Sequence, residues 1–108
     1  MKPRIPLEKE IQAKISQLLD YHHIFHWVQK TQGTYDPRKK VFRKSAMKKG
    51  VADICGLLRN GRMFCIEVKR PGGILSDEQY IFLADINRNG GIAFMANNLE
   101  IVKEKLGL

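Results

Sequence analysis

Two strand-like runs joined by a tight turn lie at the centre of the chain. The segment VADICGLL (51–58) is apolar apart from Asp53, and MFCIEVK (63–69) follows an Asn-Gly dipeptide, a strong short-range hairpin signal. Side chains alternate faces along a strand, so Glu67 and Lys69 point one way while the intervening apolar residues face a core. With a short loop, Asp53 lies toward the open end of the hairpin beside them. The pattern predicts two carboxylates and an ammonium group converging at one margin of a sheet.

The flanking sequence predicts helices and further strands. Apolar residues at helical spacing predict a first helix, and a Ser-x-x-Gln capping box with a later Gly-Gly stop predicts a second. The predicted elements are helix 7–20, strand 24–30, strands 51–58 and 63–69, helix 76–88, strand 92–96 and helix 98–106. This αβββαβα order predicts an α/β fold with a central mixed sheet flanked by helices, and 108 residues suit a single domain, 1–108.

Positive charge is concentrated just before the strand that carries Asp53. The chain has 19 Lys and Arg against 11 Asp and Glu, a formal charge of +8, which favours polyanions such as nucleic acid or an acidic membrane surface. The run RKKVFRKSAMKK (38–49) would guide a phosphate backbone toward that strand, and a solvated surface loop is the alternative. The candidate DNA contacts are Arg38, Lys39, Lys40, Arg43, Lys44, Lys48 and Lys49.

The combination of Asp53, Glu67 and Lys69 suits phosphodiester hydrolysis. Two carboxylates can hold a hard divalent cation, with waters and a substrate phosphate completing its shell. The cation offsets charge in the transition state, and an adjacent lysine orients or deprotonates the attacking water or stabilises negative charge. The competing interpretation is a buried carboxylate–lysine ion pair, because an E-x-K sequence in a strand is common by chance.

The sequence gives little support for a zinc site, a membrane span or a secretory signal. Cys55 and Cys65 fall in apolar runs and are predicted to be buried free thiols, and no CxxC or HxxxH spacing indicates zinc. No apolar run reaches the roughly 18 residues of a membrane span, and the N-terminal residues lack the apolar region of a secretory signal. We therefore expect a cytoplasmic protein with no membrane partner.

Several segments together resemble a known nuclease family. GVAD (50–53), IEVKRPGG (66–73) and LSDEQ (75–79), preceded by a helical E-x-x-I-Q, are similar to the VRR-NUC domain, the virus-type replication-repair nuclease branch of the PD-(D/E)XK superfamily. The resemblance covers nearly the whole chain and implies a restriction-endonuclease-like fold with Mg²⁺ or Mn²⁺ as cofactor. The implied catalytic core is Asp53, Glu67 and Lys69. The implied metal ligands are Asp53, Glu67, Val68 and an acid on the first helix.

Two acids on the first helix are candidates for that role. At about 100° per residue, Glu8 falls on the rim of the apolar face that contains Ile11 and Ile15, whereas Glu10 projects nearly opposite. We therefore favour Glu8, with an acid that only stabilises the helix dipole as the alternative. Gln79 also has two possible roles, as the third residue of the capping box and, by the resemblance, as a residue of the metal site.

The resulting hypothesis is a metal-dependent DNA endonuclease of a phage or bacterium. Stand-alone members of the family resemble enzymes that cut branched DNA, which implies four-way junctions as substrate and a two-fold homodimer with two active centres. Phe25, Trp27 and Phe42 exceed the needs of a small core and are candidates for the dimer interface. The alternatives are a nuclease for single-stranded or nicked DNA without junction preference, a non-catalytic DNA-binding module of the same fold, and a small basic structural protein.

Overall fold

The computed structural model describes residues 4–29, 34–36, 38, 41–43 and 48–108, in which three helices surround a four-stranded sheet. The helices are α1 (Glu8–Tyr21), α2 (Asp77–Arg88) and α3 (Leu99–Leu106). The strands are β1 (Phe25–Val28), β2 (Thr34–Asp36), β3 (Val41–Arg43), β4 (Ile54–Leu57), β5 (Met63–Val68) and β6 (Ile92–Ala96). The predicted α/β class, with a mixed sheet flanked by helices, is confirmed. None of the described helices is both long and apolar enough to cross a bilayer.

The main sheet has the strand order β1-β4-β5-β6. Its first three strands pair antiparallel, whereas β5 and β6 are parallel because α2 carries the chain across between them. The β4–β5 hairpin closes with a 2.9 Å hydrogen bond from the Leu58 amide to the Arg62 carbonyl. Gly61 has φ +85°, the left-handed conformation that a three-residue hairpin loop requires at this place. The predicted hairpin is therefore present, and it brings the start of β4 to the end of β5.

Helices cover both faces of the sheet. On one face, α1 contributes Ile11, Ile15 and Leu19, which recur at one-turn spacing, and α3 contributes Val102. The sheet residues of this core are Ile54, Phe64, Ile66, Val68, Phe94 and Ala96. On the other face, α2 packs Leu83 over a smaller group, which consists of Ala52, Cys55, Cys65 and Ala93. The alternation predicted for β5 thus separates a larger core from a smaller one.

Cys55 and Cys65 are buried free thiols, as predicted, and they lie opposite each other on β4 and β5. A hydrogen bond between the two side chains raises the pKa of Cys65 and lowers the pKa of Cys55. The pair packs beneath α2 as part of the smaller core. In the described structure, Cys55 and Cys65 therefore act as small core residues.

Two short strands, β2 and β3, lie between the first two predicted strands, where no element was predicted. Main-chain pairing between β2 and β3 sets Thr34 opposite Arg43 and Asp36 opposite Val41. Strands of three residues carry too little hydrophobic alternation to stand out in a polar, basic background, so sequence patterning missed them. The predicted strands 24–30 and 51–58 are also shortened, to the residues of β1 and β4 that pair with one another.

Gly50 fixes the contact between the segment before β4 and the first turn of α2. It has φ +79°, and a Cβ added there would lie 2.3 Å from the Glu78 carbonyl oxygen and 2.9 Å from the Gln79 amide nitrogen. Both distances are far below van der Waals contact, so the main chain of α2 approaches as closely as it does only because residue 50 lacks a side chain.

We expect Gly50→Ala to destabilise the protein more than Gly61→Ala, measured as free energies of unfolding in urea. Both glycines have positive φ, so alanine at either position costs about 1–3 kcal/mol of backbone strain. Nothing lies within 4 Å of a Cβ built at Gly61, whereas at Gly50 the clash with α2 adds to the strain. Equal losses in the two variants would show that α2 moves aside without cost.

Candidate active site

The carboxylate of Asp53 lies where β4 begins and β5 ends. Regular pairing of the two strands stops at Ile54 and Ile66. Beyond that point the Val68 amide donates a hydrogen bond of 2.8 Å to Asp53 Oδ2. A side-chain oxygen thus takes the place of a main-chain acceptor, and this bond orients the Asp53 carboxylate at the margin of the sheet.

The carboxylate of Glu67 is buried beside Asp53. Glu67 is 3% exposed and is the one buried charged residue among the described positions. Its Oε1 accepts a hydrogen bond of 2.8 Å from the side-chain amide of Gln79 and lies 3.7 Å from the Lys69 ammonium nitrogen. Its Oε2 is buried and has no hydrogen-bond partner in the described structure. An orphaned carboxylate oxygen in a buried position is costly, and it marks a site suited to a cationic ligand.

Burial, together with the negative charge of Asp53, raises the pKa of Glu67 to about 8, against an opposing effect of Lys69. A hydrogen bond that only the protonated Glu67 carboxyl can make with Asp53 adds to the increase, as does the charge of Glu8. Like charges held together in a low-dielectric setting favour the neutral carboxyl group. In the absence of a cation, therefore, the site holds a proton near neutral pH that a bound divalent ion would displace.

Gln79 takes part in two structures at once. Its side-chain oxygen accepts a 2.9 Å bond from the Ser76 amide, and its main-chain amide donates to Ser76 Oγ at 3.2 Å, which completes the predicted capping box. The side-chain nitrogen meanwhile donates to Glu67. The capping role is confirmed, and the same amide group links the start of α2 to the carboxylate pair.

The two acids of the first helix have different surroundings. Glu10 accepts hydrogen bonds of 2.8 and 3.0 Å from the Arg4 guanidinium, which lower its pKa. Glu8 is exposed at the start of α1 and, among the described residues, its side chain makes no hydrogen bond or ion pair. Its charge nevertheless acts on Glu67. The choice of Glu8 as the site residue stays a prediction.

The donor set fits a hard divalent cation better than a soft one. Within the described part of the chain, no three His, Cys, Asp or Glu side chains form a complete metal-binding group. Mg²⁺ needs no such group, because it commonly binds one or two carboxylates and keeps several waters. Asp53 and Glu67 are two neighbouring carboxylates, and Oε2 of Glu67 has no partner, so the pair matches that requirement. The Val68 side chain is in the core, and the Val68 amide donates to Asp53. Of the Val68 groups, therefore, only the main-chain carbonyl could act as a metal ligand.

The basic candidates are only partly described. Arg38, Lys48 and Lys49 are exposed, and Arg43 belongs to β3. Lys39, Lys40 and Lys44 lie outside the described residues. Lys48 lines a cleft of about 390 Å³ with Met63 and Phe82, at the end of β5 opposite Glu67. This cleft is thus separate from the carboxylate pair, which lies at the other end of β5.

Two contributions at this margin were missed from the sequence. One is the Val68 amide that orients Asp53, and the other is Gly50, whose close contact positions the turn containing Gln79. A glycine three residues before the acid was the available signal for the second. The first has no sequence signal, because every residue other than proline carries a main-chain amide.

Comparison with known proteins identifies one family. The family model described as the VRR-NUC domain matches residues 6–98, a range that contains Glu8, Asp53, Glu67, Lys69 and Gln79. No curated protein and no solved structure gives a significant match.

We expect the metal-free protein to lose stability as the pH rises from about 4.5 to about 8, and Glu67→Gln to lose less. The folded-state pKa of Glu67, about 8, lies above the ordinary value of 4.5. Its contribution is therefore complete below the unfolded-state pKa and is lost as the pH rises through the folded-state pKa. Free energies of unfolding in EDTA test this, with glutamine as a neutral isostere. Parallel pH profiles for the two proteins would contradict the assignment.

Proposed function

The chain belongs to the VRR-NUC domain family, which gives it a nuclease-type function on DNA, and we propose that it is an endonuclease that requires Mg²⁺ or Mn²⁺. The observation that carries the metal dependence is the buried, unpartnered Oε2 of Glu67 beside the Asp53 carboxylate. Two acids this close repel each other, and a cation between them would remove both the repulsion and the orphaned oxygen.

The roles of the chain's own residues follow from their contacts. Asp53 and Glu67 would hold the cation, and Glu8 would contribute through its charge or through water. When bound, the cation would polarise the scissile phosphate and lower the pKa of a coordinated water. Lys69 is 3.7 Å from Glu67 and its side chain is 16% exposed, so its ammonium group is held at the site yet accessible to substrate. There it would orient the attacking water or stabilise negative charge on phosphate oxygens.

Positive charge would bring the phosphate backbone to this margin. The net charge of +8 favours binding of any DNA through counterion release. Lys48 and Lys49 are exposed and stand immediately before Gly50 and the segment that leads into β4. Contacts of this kind position DNA without reading its sequence, so selectivity would have to come from DNA shape.

We expect metal-dependent nicking of supercoiled plasmid that is lost in EDTA and falls on the order of 100-fold or more in Asp53→Asn and Glu67→Gln. Lys69→Ala should reduce the rate about 100-fold or more while leaving Mn²⁺ binding nearly unchanged. Lys103→Ala is the matched control, because Lys103 also forms a Lys–Glu pair, at 3.4 Å, but on the exposed surface of α3.

Four results test the site and separate the competing functions. Wild-type rates in the Asp53 or Glu67 variants at saturating Mg²⁺ would refute the site. DNA binding without cleavage under any metal would support the binding module, and cleavage of single strands or nicked duplex in preference to junctions would support the unselective nuclease. Neither binding nor cleavage would leave the basic structural protein.

We further propose a homodimer that prefers four-way junctions. Cutting a junction requires two active centres, and a two-fold dimer supplies them in the symmetry of the junction itself. The supporting feature is an apolar patch on the edge strand β1 and its neighbour. Phe25 is 67% exposed, packs edge-to-face on Trp27 at 5.8 Å and lies opposite Leu57, which is also exposed. Large exposed apolar groups on a sheet edge favour a protein partner, and a second copy would bury them symmetrically.

We expect Phe25→Arg to give a monomer in sedimentation equilibrium at micromolar protein and to lose its preference for junctions over linear duplex. An isologous interface would place the two new charges close together, which makes the substitution strongly unfavourable there. Ile81→Arg is the control, since Ile81 is similarly exposed, at 56%, but lies on α2 away from the patch. A monomeric wild type, or equal rates on junction and duplex, would remove junction selectivity and keep the nuclease.

A further inference from the structure

A groove with an aromatic and a methionine side chain in its walls lies between α2 and β6. Its volume is about 290 Å³, and its walls include Leu75, Tyr80, Ala84 and Met95. Tyr80 is 66% exposed and Met95 is half-buried, so a ligand could reach both side chains. Sites for drug-sized ligands have volumes of about 300–1,000 Å³, so this groove suits one small planar group.

The groove adjoins the carboxylate pair through direct contacts. Met95 is the partner of Glu67 in the parallel register of β6 and β5, so the two side chains project from the same face of the sheet. Tyr80 directly follows Gln79, whose side-chain nitrogen donates to Glu67 at 2.8 Å. Both walls of the groove are therefore joined to Glu67 within one residue, one by strand pairing and the other by a hydrogen bond.

The outer edge of β6 adds polar groups to this groove. β6 ends the strand order of the sheet, and its Ala96 carbonyl faces β5, where it accepts a 3.0 Å bond from the Lys69 amide. Main-chain groups of successive strand residues point to opposite edges, so those of Ala93 and Met95 point outward. The Asn87 side chain donates to the Ala93 carbonyl and accepts from the Ala93 amide, each at 2.8 Å. No described residue does the same for Met95, whose amide and carbonyl form a donor–acceptor pair open to a ligand.

Positive charge lies next to the groove as well. The Lys69 ammonium nitrogen is 3.7 Å from Glu67, and the Lys69 side chain is 16% exposed. The Arg70 guanidinium, by contrast, is engaged with the main chain, since it donates to the Pro6 and Ile5 carbonyls at 3.1 and 3.3 Å. Lys69 is therefore the better placed of the two cations to meet a phosphate attached to a group in the groove.

These features fit a nucleobase better than a peptide strand. A nucleobase has a flat π-face that stacks on an aromatic ring and an edge of donors and acceptors that can bond to a main chain. An added strand needs a run of free main-chain groups along the sheet edge. The Asn87 side chain occupies those of Ala93, so within β6 only Met95 is left, which is too short a run for strand addition.

We propose that this groove binds an unpaired base of the DNA substrate beside the phosphate that is cut, with Tyr80 stacked on the base and the Met95 main chain bonded to its edge. The proposal rests on the nuclease function proposed above and names the substrate class, DNA with an unstacked base at the cleavage site, such as a flap or an open branch point. In intact duplex the base is stacked and paired, and extracting it costs free energy. Selectivity would thus follow local unpairing and not sequence, since every base has a π-face.

The test compares a duplex that carries a single-stranded flap with the same duplex without it, by fluorescence anisotropy in EDTA. We expect Tyr80→Ala to weaken binding of the flapped DNA about tenfold and to leave duplex binding nearly unchanged, whereas Tyr80→Phe keeps the stacking ring and the affinity. Ala84→Leu should give the same selective loss, because it narrows the groove with a good helix former and leaves Tyr80 intact. Tyr21→Ala is the matched control, since Tyr21 is 79% exposed but lies at the end of α1.

Photocrosslinking locates the base directly. A 5-iodouracil at the flap position next to the duplex should crosslink to Tyr80 or Met95, as mapped by mass spectrometry. Equal losses on both DNAs, or no loss in Tyr80→Ala and Ala84→Leu, would overturn the base contact. A variant that changes only the sedimentation of the protein would assign the groove to a second copy and overturn it as well.

The base contact and the nuclease function can fail separately. A wild type that prefers flapped DNA through Tyr80 but cuts no DNA with Mg²⁺ or Mn²⁺ would refute the nuclease and leave the groove standing. A wild type that cuts DNA while Tyr80→Ala binds both DNAs as before would overturn the groove alone. A wild type that binds neither DNA would overturn both.

Discussion

The burial of one carboxylate governs the arrangement of the site. Glu67 is 3% exposed on a strand whose neighbours are apolar, and a charge in such a place must be matched by donors or neutralised by a proton. The fold supplies two partial matches, the Gln79 amide and the Lys69 ammonium, and leaves one oxygen without a partner. Asp53 adds a like charge that raises the pKa of Glu67. The unpartnered oxygen and the repulsion between the two acids lower the stability of the fold at this place. A bound divalent cation would offset both effects.

The two faces of the sheet have different roles: one holds the larger core, and the other adjoins the carboxylate site. The face under α1 and α3 holds the larger core, which fixes β4 and β5 in register. The face under α2 has a smaller core, in which the free thiols of Cys55 and Cys65 share a hydrogen bond. The first turn of α2 lies beside the carboxylates, since Gln79 donates to Glu67. Because the capping box and the bond to Glu67 share the Gln79 side chain, the same amide stabilises the helix start and orients the site. The Gly50 contact then sets how closely α2 approaches.

Local chemistry accounts for what the sequence could predict. Alternation along β5, the Asn-Gly turn and the Ser-x-x-Gln box each depend on neighbouring residues, so the hairpin, the capping box and the sheet with helices on both faces could be predicted from them. The nearness of Asp53 and Glu67 follows from the same hairpin. The hydrogen bonds from Arg70 to the Ile5 and Pro6 carbonyls could not be predicted, because main-chain acceptors are supplied by any sequence. The β2–β3 pair was missed because strands of three residues carry too little hydrophobic alternation. Whether Glu8 serves the site depends on the orientation of α1, which only tertiary contacts determine.

The hydrogen bonds of the site also differ in how far apart their partners lie along the chain. The Val68–Asp53 bond spans 15 residues and the Gln79–Glu67 bond spans 12, whereas those from Arg70 to Pro6 and Ile5 span 64 and 65. Closing a long loop costs more entropy than closing a short one, so the hairpin and α2 can associate before the N-terminal helix docks. During refolding, the carboxylate pair would exist before Glu8 arrives. A refolding chain would then pass through a state in which the hairpin and α2 are assembled while the first helix is still undocked.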